Sequence, residues 1–344
     1  MKKSDILKKN TVVKGRKLMD YKSIIIDFCE NLGLDTVGFC ECRRFEESKA
    51  FFEHRKLKAL QNEFEEQDLE KRINPFIHME DGKTIISIAF PYLHDIEENS
   101  HLYFSKYTRG RDYHIVISDY LKKICTFIKD LGGKAIYFVD SNPLPERYIA
   151  YLCGIGFIGK NNMLITEKYG SYVFLGEIII DLKMEPDKPI EQKCRDCSLC
   201  LNICPTKSIN REESWPNVCL SYITQKKQIE DSWFKKLEGR MFGCDSCQNV
   251  CPFNKAIQLS KIDQFTPHEH MKNVSLEELI NIDNKIFKEK YEVTSCGWRG
   301  KNILQRNALI NKAMLQNRLD IEEKDINSPY VKDYYHRLLK SLEL

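Results

Sequence analysis

The sequence has no apolar run long enough to cross a membrane. Its longest apolar stretches, such as residues 84–90, suit buried strands and fall far short of the roughly 18 residues that a membrane-spanning helix needs. The basic stretch of residues 1–17 contains no apolar segment, no small-residue cleavage site and no paired arginines, so an export signal is not expected. These absences predict a soluble protein that works in the reducing cytoplasm.

The sequence also has little net charge and lacks two common kinds of site. A formal net charge of +3 is too small to indicate a polyanionic partner by itself. The eight histidines form no H-E-x-x-H or comparable metal motif. The glycines of residues 154–162 do not follow a predicted strand, as a dinucleotide-binding fingerprint requires. The patterns of a histidine metal centre and of a bound dinucleotide are therefore absent.

Cysteine, in contrast, is abundant, and seven of the fourteen cysteines fall in two short runs. The run in residues 194–205 has the spacing C-x2-C-x2-C-x3-C-P, by which bacterial ferredoxins hold [4Fe-4S] clusters. The run in residues 244–252 lacks one cysteine of the usual trio. In such motifs three cysteines of a run bind one cluster, and the fourth, before proline, binds the other cluster.

This spacing predicts two complete tetrads of thiolates. The first cluster would be bound by Cys194, Cys197, Cys200 and Cys251. The second cluster would be bound by Cys204, Cys244 and Cys247, with Cys219, the only cysteine between the two runs, in the vacant position. The alternatives are structural zinc, which rarely needs the C-x3-C-P tail, and a disulfide framework, which would require an oxidising compartment.

The order of apolar patterns predicts an α+β fold in four parts. Residues 1–20 form a basic extension that we expect to be disordered, with Met19 as an alternative start. Residues 21–185 form an α/β domain large enough to enclose a cofactor, residues 186–258 a ferredoxin-like domain, and residues 259–344 a helical region. Helices are predicted over residues 21–34, 46–68, 118–131, 303–314 and 330–342, and strands over residues 36–40, 84–90, 135–139 and 172–180.

Asp140 is the main catalytic candidate in the first domain. It follows the apolar strand predicted over residues 135–139, at the start of a proline-rich turn. A carboxylate beside a pocket can have its pKa raised by desolvation and then serve as a general acid. The alternative is that the Asp140 side chain merely caps the turn. Residues 106–114 place two tyrosines, a histidine, an aspartate and basic residues in one loop, which could bind an anion or position an acid.

Together, and in this order, these motifs resemble the epoxyqueuosine reductases, the cobalamin-dependent iron-sulfur enzymes of queuosine biosynthesis. The resemblance runs over about residues 21–314. Besides the two cysteine runs, it rests on the segments L-E-K-R-I-N-P, Y-x-x-G-x-D-Y-H, V-D-S-x-P, G-I-G-F-I-G-K-N, G-S-Y-V-F-L-G-E, C-L-S-Y-I-T, W-R-G and R-N-A.

The resemblance implies a cobalamin between the first domain and the ferredoxin-like domain, with one cluster near the corrin. The other cluster would relay electrons from an external low-potential donor such as a flavodoxin or ferredoxin. Asp140 would donate a proton as the epoxide oxygen leaves. The candidates to hold polar groups of the modified base are Arg147 or the tyrosines Tyr107 and Tyr113. The implied cobalamin contacts are Arg72, Tyr107, Asp140, Lys160, Asn161, Ser221, Tyr222 and Asp245.

The implied substrate is epoxyqueuosine at the wobble position of a tRNA, reduced to queuosine by a protein that we expect to be a monomer. One alternative is a reductive-dehalogenase-like enzyme, but those proteins usually carry a twin-arginine signal and use a tyrosine as proton donor. A second alternative is a non-catalytic ferredoxin-type electron-transfer subunit. Such a subunit would need neither a corrin nor Asp140, and it leaves the motifs upstream of the cysteines unexplained.

Overall fold

A computed structural model describes residues 10–13, 16–96, 100–210 and 213–342. The strands in these residues are β1 (Asn10–Val13), β2 (Arg16–Met19), β3 (Val37–Glu41), β4 (Thr84–Pro91), β5 (Tyr103–Phe104), β6 (Ala135–Phe138), β7 (Gly156–Ile158), β8 (Leu164–Thr166), β9 (Val173–Ile180) and β10 (Arg240–Phe242). The α-helices are α1 (Tyr21–Asn31), α2 (Lys49–Leu57), α3 (Leu69–Ile73), α4 (Tyr113–Asp130), α5 (Glu146–Leu152), α6 (Leu199–Ile203), α7 (Leu220–Ile223), α8 (Ser246–Asn249), α9 (Glu269–Lys272), α10 (Leu276–Ile280), α11 (Asn284–Ile286), α12 (Lys301–Gln316) and α13 (Pro329–Leu342). Among the residues described, none of the helices combines the length and the apolar character needed to span a bilayer.

A four-stranded antiparallel sheet, with the order β3-β4-β9-β6, forms the centre of the first half of the chain. Every residue of β4 is buried, because elements cover both faces of the sheet. Ile86 and Phe90 belong to the core that includes α1 and α4, whereas Ile85 and Ala89 belong to the core that includes α5. Side chains alternate between the two faces of a strand, so a strand buried on both faces reads as a continuous apolar run.

The predicted strands and helices of this half occur within a few residues, apart from two boundaries. The helix predicted over residues 46–68 ends at Leu57, because Ala59 adopts a left-handed backbone with a φ of 52°. Helix α4 begins at Tyr113, five residues earlier than predicted, because the side chain of Asp112 accepts a backbone N–H of the first turn. This cap brings a tyrosine and a histidine of the predicted anion or acid loop into the helix.

The N-terminal extension differs from its prediction. Asn10–Val13 and Arg16–Met19 pair as an antiparallel hairpin, in which Asn10 lies opposite Met19 and Val13 lies opposite Arg16. Disorder was predicted from the basic composition, but β-branched residues at positions 11–13 favour an extended backbone. The prediction is therefore wrong for these two segments, and residues 1–9 and 14–15 lie outside the described residues.

The cysteine-rich region and the helical C-terminal region share one core. Buried residues such as Leu220 and Phe242 pack in the same cluster as Leu304 of α12 and Tyr334 of α13. Phe104 of the first half also belongs to this cluster, because β5 pairs in parallel with β10. The boundary predicted at residue 258 therefore does not separate two hydrophobic cores.

Helix α12 holds the cysteine-rich region through buried polar side chains. Arg306 is fully buried and donates through Nη2 to the carbonyl oxygen of Thr224 at 3.0 Å. Asn307 donates through Nδ2 to the carbonyl oxygens of Thr224 and Met241, at 2.8 and 2.7 Å. Buried carbonyl groups need such partners. Helix α12 therefore fixes the backbone at Thr224 and at Met241, both of which precede the second cysteine run.

The first prediction tests this clamp with Asn307→Leu, which leaves the carbonyl of Met241 without its side-chain donor and the buried guanidinium of Arg306 without the Asn307 amide oxygen that it donates to. An unsatisfied buried polar group costs about 1–3 kcal/mol, so we expect a loss of about 2–4 kcal/mol in the free energy of unfolding. The measurement is the midpoint of thermal unfolding of the cluster-loaded protein. Lys324→Ala, at a side chain that is 73% exposed, is the control and should unfold at the wild-type midpoint. An unchanged midpoint for Asn307→Leu would contradict the clamp.

Candidate active site

The seven cysteines of the two runs, together with Cys219, fall into two groups of four. In the first group, burial raises the pKa of the Cys200 thiol, and the neighbouring thiols Cys194, Cys251 and Cys197 raise it further. The same neighbours Cys194 and Cys197 act on Cys251, whose pKa burial also raises. The thiols that the sequence spacing assigns to the first cluster are therefore close together in the fold.

The second group contains Cys219 as well as the cysteines of both runs. Burial raises the pKa of the Cys247 thiol well above its ordinary value, and the neighbours Cys244, Cys219 and Cys204 raise it further. Cys204 has the opposite shift: burial would raise its pKa, but the backbone amides that follow it in the chain outweigh this effect and lower it. A thiolate that accepts several N–H groups is well suited to hold a metal cluster.

A cavity of about 510 Å³ lies against the second group of cysteines. The four cysteines of the second group line this cavity, and other parts of its wall come from the first half of the chain. Among the predicted cofactor contacts, Tyr107, Asp140 and Asn161 line the cavity from the first half, and Ser221 and Tyr222 line it from α7 beside Cys219. The size and the largely apolar lining with a few polar groups are typical of a cofactor site.

A second cavity, of about 700 Å³, opens next to the first. The two cavities share the wall residues Phe64, Tyr107, Tyr113, Asp140 and Gln225. Asp140 therefore lies where a cavity lined by the second cysteine group meets a cavity whose lining contains none of these cysteines. A group at this junction can contact molecules bound on either side.

The carboxylate of Asp140 is held by two neighbours in the first turn of α4. The Tyr113 hydroxyl donates to Oδ2 of Asp140, and Nε2 of His114 lies 3.2 Å from the same oxygen. The other ring nitrogen of His114, Nδ1, lies 2.8 Å from Oδ1 of Asp112. The ring of Tyr113 stacks on Phe174 of β9 with centroids 4.2 Å apart, which fixes the tyrosine in place.

These contacts reverse the predicted pKa shift of Asp140. Its partial burial would raise the pKa, but hydrogen bonds from His114 and Tyr113 outweigh burial and lower the pKa below its ordinary value. Burial would lower the pKa of His114, but Asp112 and Asp140 raise it to about 9. Near neutral pH the two side chains therefore form a carboxylate–imidazolium pair. The turn-cap alternative does not describe the side chain either, since it is the Asp140 backbone carbonyl that accepts from Asn142.

Behind this pair lie two buried carboxyl groups, one of which sequence reasoning missed. Glu177 of β9 is fully buried, accepts from the Ser87 hydroxyl at 3.2 Å through Oε1, and has no hydrogen-bond partner on Oε2. Burial and the nearby Glu146 raise its pKa well above the ordinary value. Burial raises the pKa of Glu146 to about 7, and its Oε1 accepts from Asn142 at 2.7 Å. An acidic residue in the otherwise apolar strand V-F-L-G-E-I-I-I was the available signal.

Three predicted cofactor contacts lie away from the cavity walls. The guanidinium of Arg72 lies over the ring of Phe52 at 4.3 Å. The ammonium of Lys160 donates to backbone carbonyls of the first cysteine run, including that of Cys197 at 2.9 Å. Asp245 is fully buried and accepts the backbone N–H of Lys106 at 3.0 Å. Lys160 and Asp245 are thus engaged with backbone groups, which favours supporting roles for these two residues, whereas Nε of Arg72 is buried without a hydrogen-bond partner.

Asn161 provides a test of whether the cavity suits a bound cofactor. Its Nδ2 is buried without a hydrogen-bond partner and the residue lines the cavity beside the second cysteine group. A buried amide donor without a partner is costly unless a ligand satisfies it. Cobalamin carries amide oxygens around its corrin ring, so the donor set fits this cofactor.

Two models of protein families match the chain. The model described as a 4Fe-4S double cluster binding domain matches residues 193–254, and the model described as epoxyqueuosine reductase QueG, DUF1730, matches residues 72–141. The protein is therefore an iron-sulfur protein with two [4Fe-4S] clusters, and its fourteen cysteines form no disulfide. This finding decides against the zinc and disulfide alternatives.

Relatives and solved structures agree with the second model. An epoxyqueuosine reductase of Bacillus cereus is 36% identical over 309 residues, which cover 85% of this chain and 80% of that protein. One of Lactococcus garvieae is 32% identical over 338 residues, which cover 94% and 96%. The crystal structure of an epoxyqueuosine reductase with a tRNA-Tyr epoxyqueuosine-modified tRNA stem loop matches with a TM-score of 0.88 and 30% identity, covering 94% of this chain and 90% of that chain. The structure of epoxyqueuosine reductase from Streptococcus thermophilus matches with a TM-score of 0.84, 32% identity and the same coverage. Similar to these enzymes over most of its length, the chain belongs to the epoxyqueuosine reductase family and is an oxidoreductase.

Proposed function

We propose that the protein reduces epoxyqueuosine in tRNA to queuosine, with two [4Fe-4S] clusters and a cobalamin as cofactors. The observation that carries the proposal is the position of Asp140, which lines both the cavity that contains four cysteines in its wall and the neighbouring cavity that contains Phe64 and Trp298. Such a junction allows one acidic side chain to act on a substrate that faces an electron-supplying cofactor. The similarity to enzymes named for this reaction supports the same function.

The proposed cofactor arrangement follows the two cysteine groups. One cluster takes Cys194, Cys197, Cys200 and Cys251, and the other takes Cys204, Cys219, Cys244 and Cys247. Tyr107, Asn161, Ser221 and Tyr222 would hold a cobalamin in the cavity beside the second cluster. When bound, the clusters supply single electrons and the cobalamin supplies a low-valent metal for the reduction.

The side chains around Asp140 would handle the protons. Conversion of an epoxide to an alkene takes up two electrons and two protons and releases one water. Asp140 would protonate the epoxide oxygen, so that it does not leave as a bare alkoxide. Because the pKa of Asp140 is low and that of His114 is raised, we infer that the proton passes from Nε2 of His114 through Oδ2 of Asp140.

The aromatic side chains that line the second cavity are suited to bind a nucleobase. The rings of Phe64 and Trp298 lie in an edge-to-face contact at 5.2 Å and are 41% and 54% exposed. The guanidinium of Arg299 lies 4.7 Å from the Trp298 ring centre. Unpaired bases of RNA stack on exposed aromatic rings and on arginine planes. We therefore propose that this group, Phe64, Trp298 and Arg299, stacks a base of the anticodon loop, in addition to polar contacts from Arg147, Tyr107 and Tyr113.

We further propose that the protein works as a monomer in the cytoplasm, with a flavodoxin or ferredoxin as electron donor. Free thiols throughout the chain and oxygen-sensitive clusters fit a reducing compartment. The dehalogenase-like alternative is disfavoured because the junction of the cavities holds the carboxylate of Asp140, to which the hydroxyl of the neighbouring Tyr113 donates. The electron-transfer-subunit alternative gives no reason for the second cavity.

The second prediction concerns the proton donor. Asp140→Asn keeps the shape of the side chain but cannot donate an acidic proton, so we expect turnover to fall about 100- to 10,000-fold. The measurement is anaerobic single turnover on tRNA carrying epoxyqueuosine, with loss of one oxygen read by mass spectrometry of the nucleosides. Iron content and the cobalamin absorption spectrum should match the wild type. Asp140→Asn with full turnover would remove Asp140 from the proposed role, and wild-type protein that loads both cofactors without oxygen loss would refute the proposed function.

The third prediction uses the raised pKa of His114. The pKa of about 9 exceeds the ordinary value of 6.5, so the pair with Asp140 contributes stability that is complete below pH 6.5 and is lost as the pH rises through about 9. His114→Gln should remove this pH dependence. The measurement is the thermal unfolding midpoint at a series of pH values from about 6 to about 9.5, a range that spans the two pKa values. His336→Gln, on an exposed side chain, is the control and should retain the wild-type fall. Equal pH profiles for His114→Gln and the wild type would contradict the ion pair.

The fourth prediction tests the aromatic group. Trp298→Ala should weaken binding of an unmodified anticodon stem loop about tenfold or more, because stacking of one base contributes about 1–3 kcal/mol. Fluorescence anisotropy of a labelled stem loop gives the dissociation constant without any need for turnover. Phe51→Ala is the control, because Phe51 is 57% exposed and lines neither cavity. Equal losses in the two variants would mean that exposed aromatic rings in general, rather than this group, bind the RNA.

A further inference from the structure

Arg240, the first residue of β10, is a buried cation that contacts a cysteine of the second group. It is 6% exposed, and its Nε donates to Sγ of Cys244 at 3.3 Å. Its Nη2 donates to the hydroxyl of Ser246 at 2.8 Å, and its Nη1 donates to the carbonyl of Leu237 at 3.1 Å. These three acceptor atoms surround the planar guanidinium, and this fixes the N–H that faces the sulfur.

The backbone under Arg240 is held as tightly as its side chain. Asn311 of α12 donates through Nδ2 to the Arg240 carbonyl at 3.1 Å and accepts the Gly239 N–H at 2.6 Å. Gly239 has a φ of +83°, and a Cβ at this position would lie 1.7 Å from the carbonyl oxygen of His101. The chain can therefore approach β5 only with glycine before Arg240, so the arginine enters the site in one orientation.

The charges near Arg240 do not cancel its effect on the sulfur. Glu238 lies 3.4 Å from Nη1, but its side chain is 63% exposed and is therefore screened by water. Asp245 is buried beside the same cysteines, and its carboxylate accepts from Ser105 and from the backbone N–H of Lys106. A guanidinium stays charged at every accessible pH, so it presents a permanent positive charge at the Cys244 sulfur.

The first cysteine group has a different environment. Its sulfurs Cys200 and Cys251 accept from backbone amides, those of Leu201 and Phe253 among them. The nearby cation, Lys160, donates to backbone carbonyls of this run instead of to a sulfur. Hydrogen bonds and positive charge at the sulfurs of an iron-sulfur cluster raise its reduction potential, because they stabilise the more negative reduced form.

We propose that Arg240 is a positioning residue that raises the reduction potential of the second [4Fe-4S] cluster through its hydrogen bond to Cys244. One electron then leaves the reduced first cluster, which is oxidised, and enters the second cluster, which is reduced, without a change in protonation. The electron is directed toward the cluster beside the cofactor cavity. The inference rests on the proposed assignment of the cysteines to two clusters and is independent of cobalamin, Asp140 and the RNA substrate.

The test is a potentiometric titration of the reconstituted protein without cobalamin, with dithionite as reductant and EPR of the reduced clusters as readout. In Arg240→Met the couple of the second cluster should shift to a more negative potential, while the couple of the first cluster stays unchanged. Arg240→Lys keeps the charge without the planar donor and should shift the same couple by less. Cys219→Ser identifies the second cluster as the one whose signal it alters or removes.

Lys134→Met is the matched control, because it removes an exposed cation that pairs with Asp81 on the surface of the first half, and both couples should keep their wild-type potentials. Iron and sulfide content establishes that each variant carries both clusters, and Arg240→Lys serves where Arg240→Met loads poorly. Equal shifts of both couples in an Arg240 variant, or a second-cluster couple that does not move in either variant, would overturn the proposal. Loss of tRNA turnover alone bears on the proposed function and leaves this result untouched.

Discussion

The buried carboxylate of Asp245 joins the two halves of the molecule, and the site depends on this joint. It sits between the two cysteines that open the second run and accepts from Ser105 and from the backbone N–H of Lys106 in the first half. A buried carboxylate is stable only when its oxygens are hydrogen-bonded, so the loop that contains Ser105 cannot move away without a large cost. Tyr107 follows in that loop and lines both cavities. The position of the cavity wall relative to the cysteines is therefore set by an interaction outside the cavity.

The helical C-terminal region also holds the cysteine-rich region in position. Its helix α12 presents Arg306, Asn307 and Asn311 to backbone carbonyls on the segments around Thr224 and Met241. A cluster-binding region with short helices has few regular backbone hydrogen bonds of its own, and it needs such external partners. This requirement explains why the predicted boundary at residue 258 has no counterpart in the cores. The helices that follow the cysteines are part of the framework that holds them.

The features that could be predicted from the sequence are those that depend on local pattern. Spacing grouped seven of the cysteines, and Cys219 was added because it is the only cysteine between the two runs. The apolar run of β4 identified a strand because both of its faces are buried. The pKa of Asp140 could not be read in the same way, because His114 lies 26 residues earlier and meets it only in the folded chain. Lys160 and Asp245 lie in motifs dense with functional residue types, yet their charges are used to hold backbone. A motif indicates that a residue matters, but only the fold decides whether its side chain faces the cofactor or the scaffold.

The carboxyl groups near the junction of the cavities have different pKa values because their surroundings differ. Asp140 has donors on its carboxylate, so its pKa falls, whereas Glu177 is fully buried and lies near Glu146, so its pKa rises. Glu146 lies between these extremes with a pKa of about 7 and is linked to the Asp140 turn through Asn142. Two neighbouring carboxylates in a buried site cannot both stay ionised. Glu146 and Glu177 therefore hold at least one proton between them near neutral pH. Asp140 thus remains an ionised carboxylate against the His114 imidazolium and lines both cavities, whereas Glu146 and Glu177 together hold at least one proton.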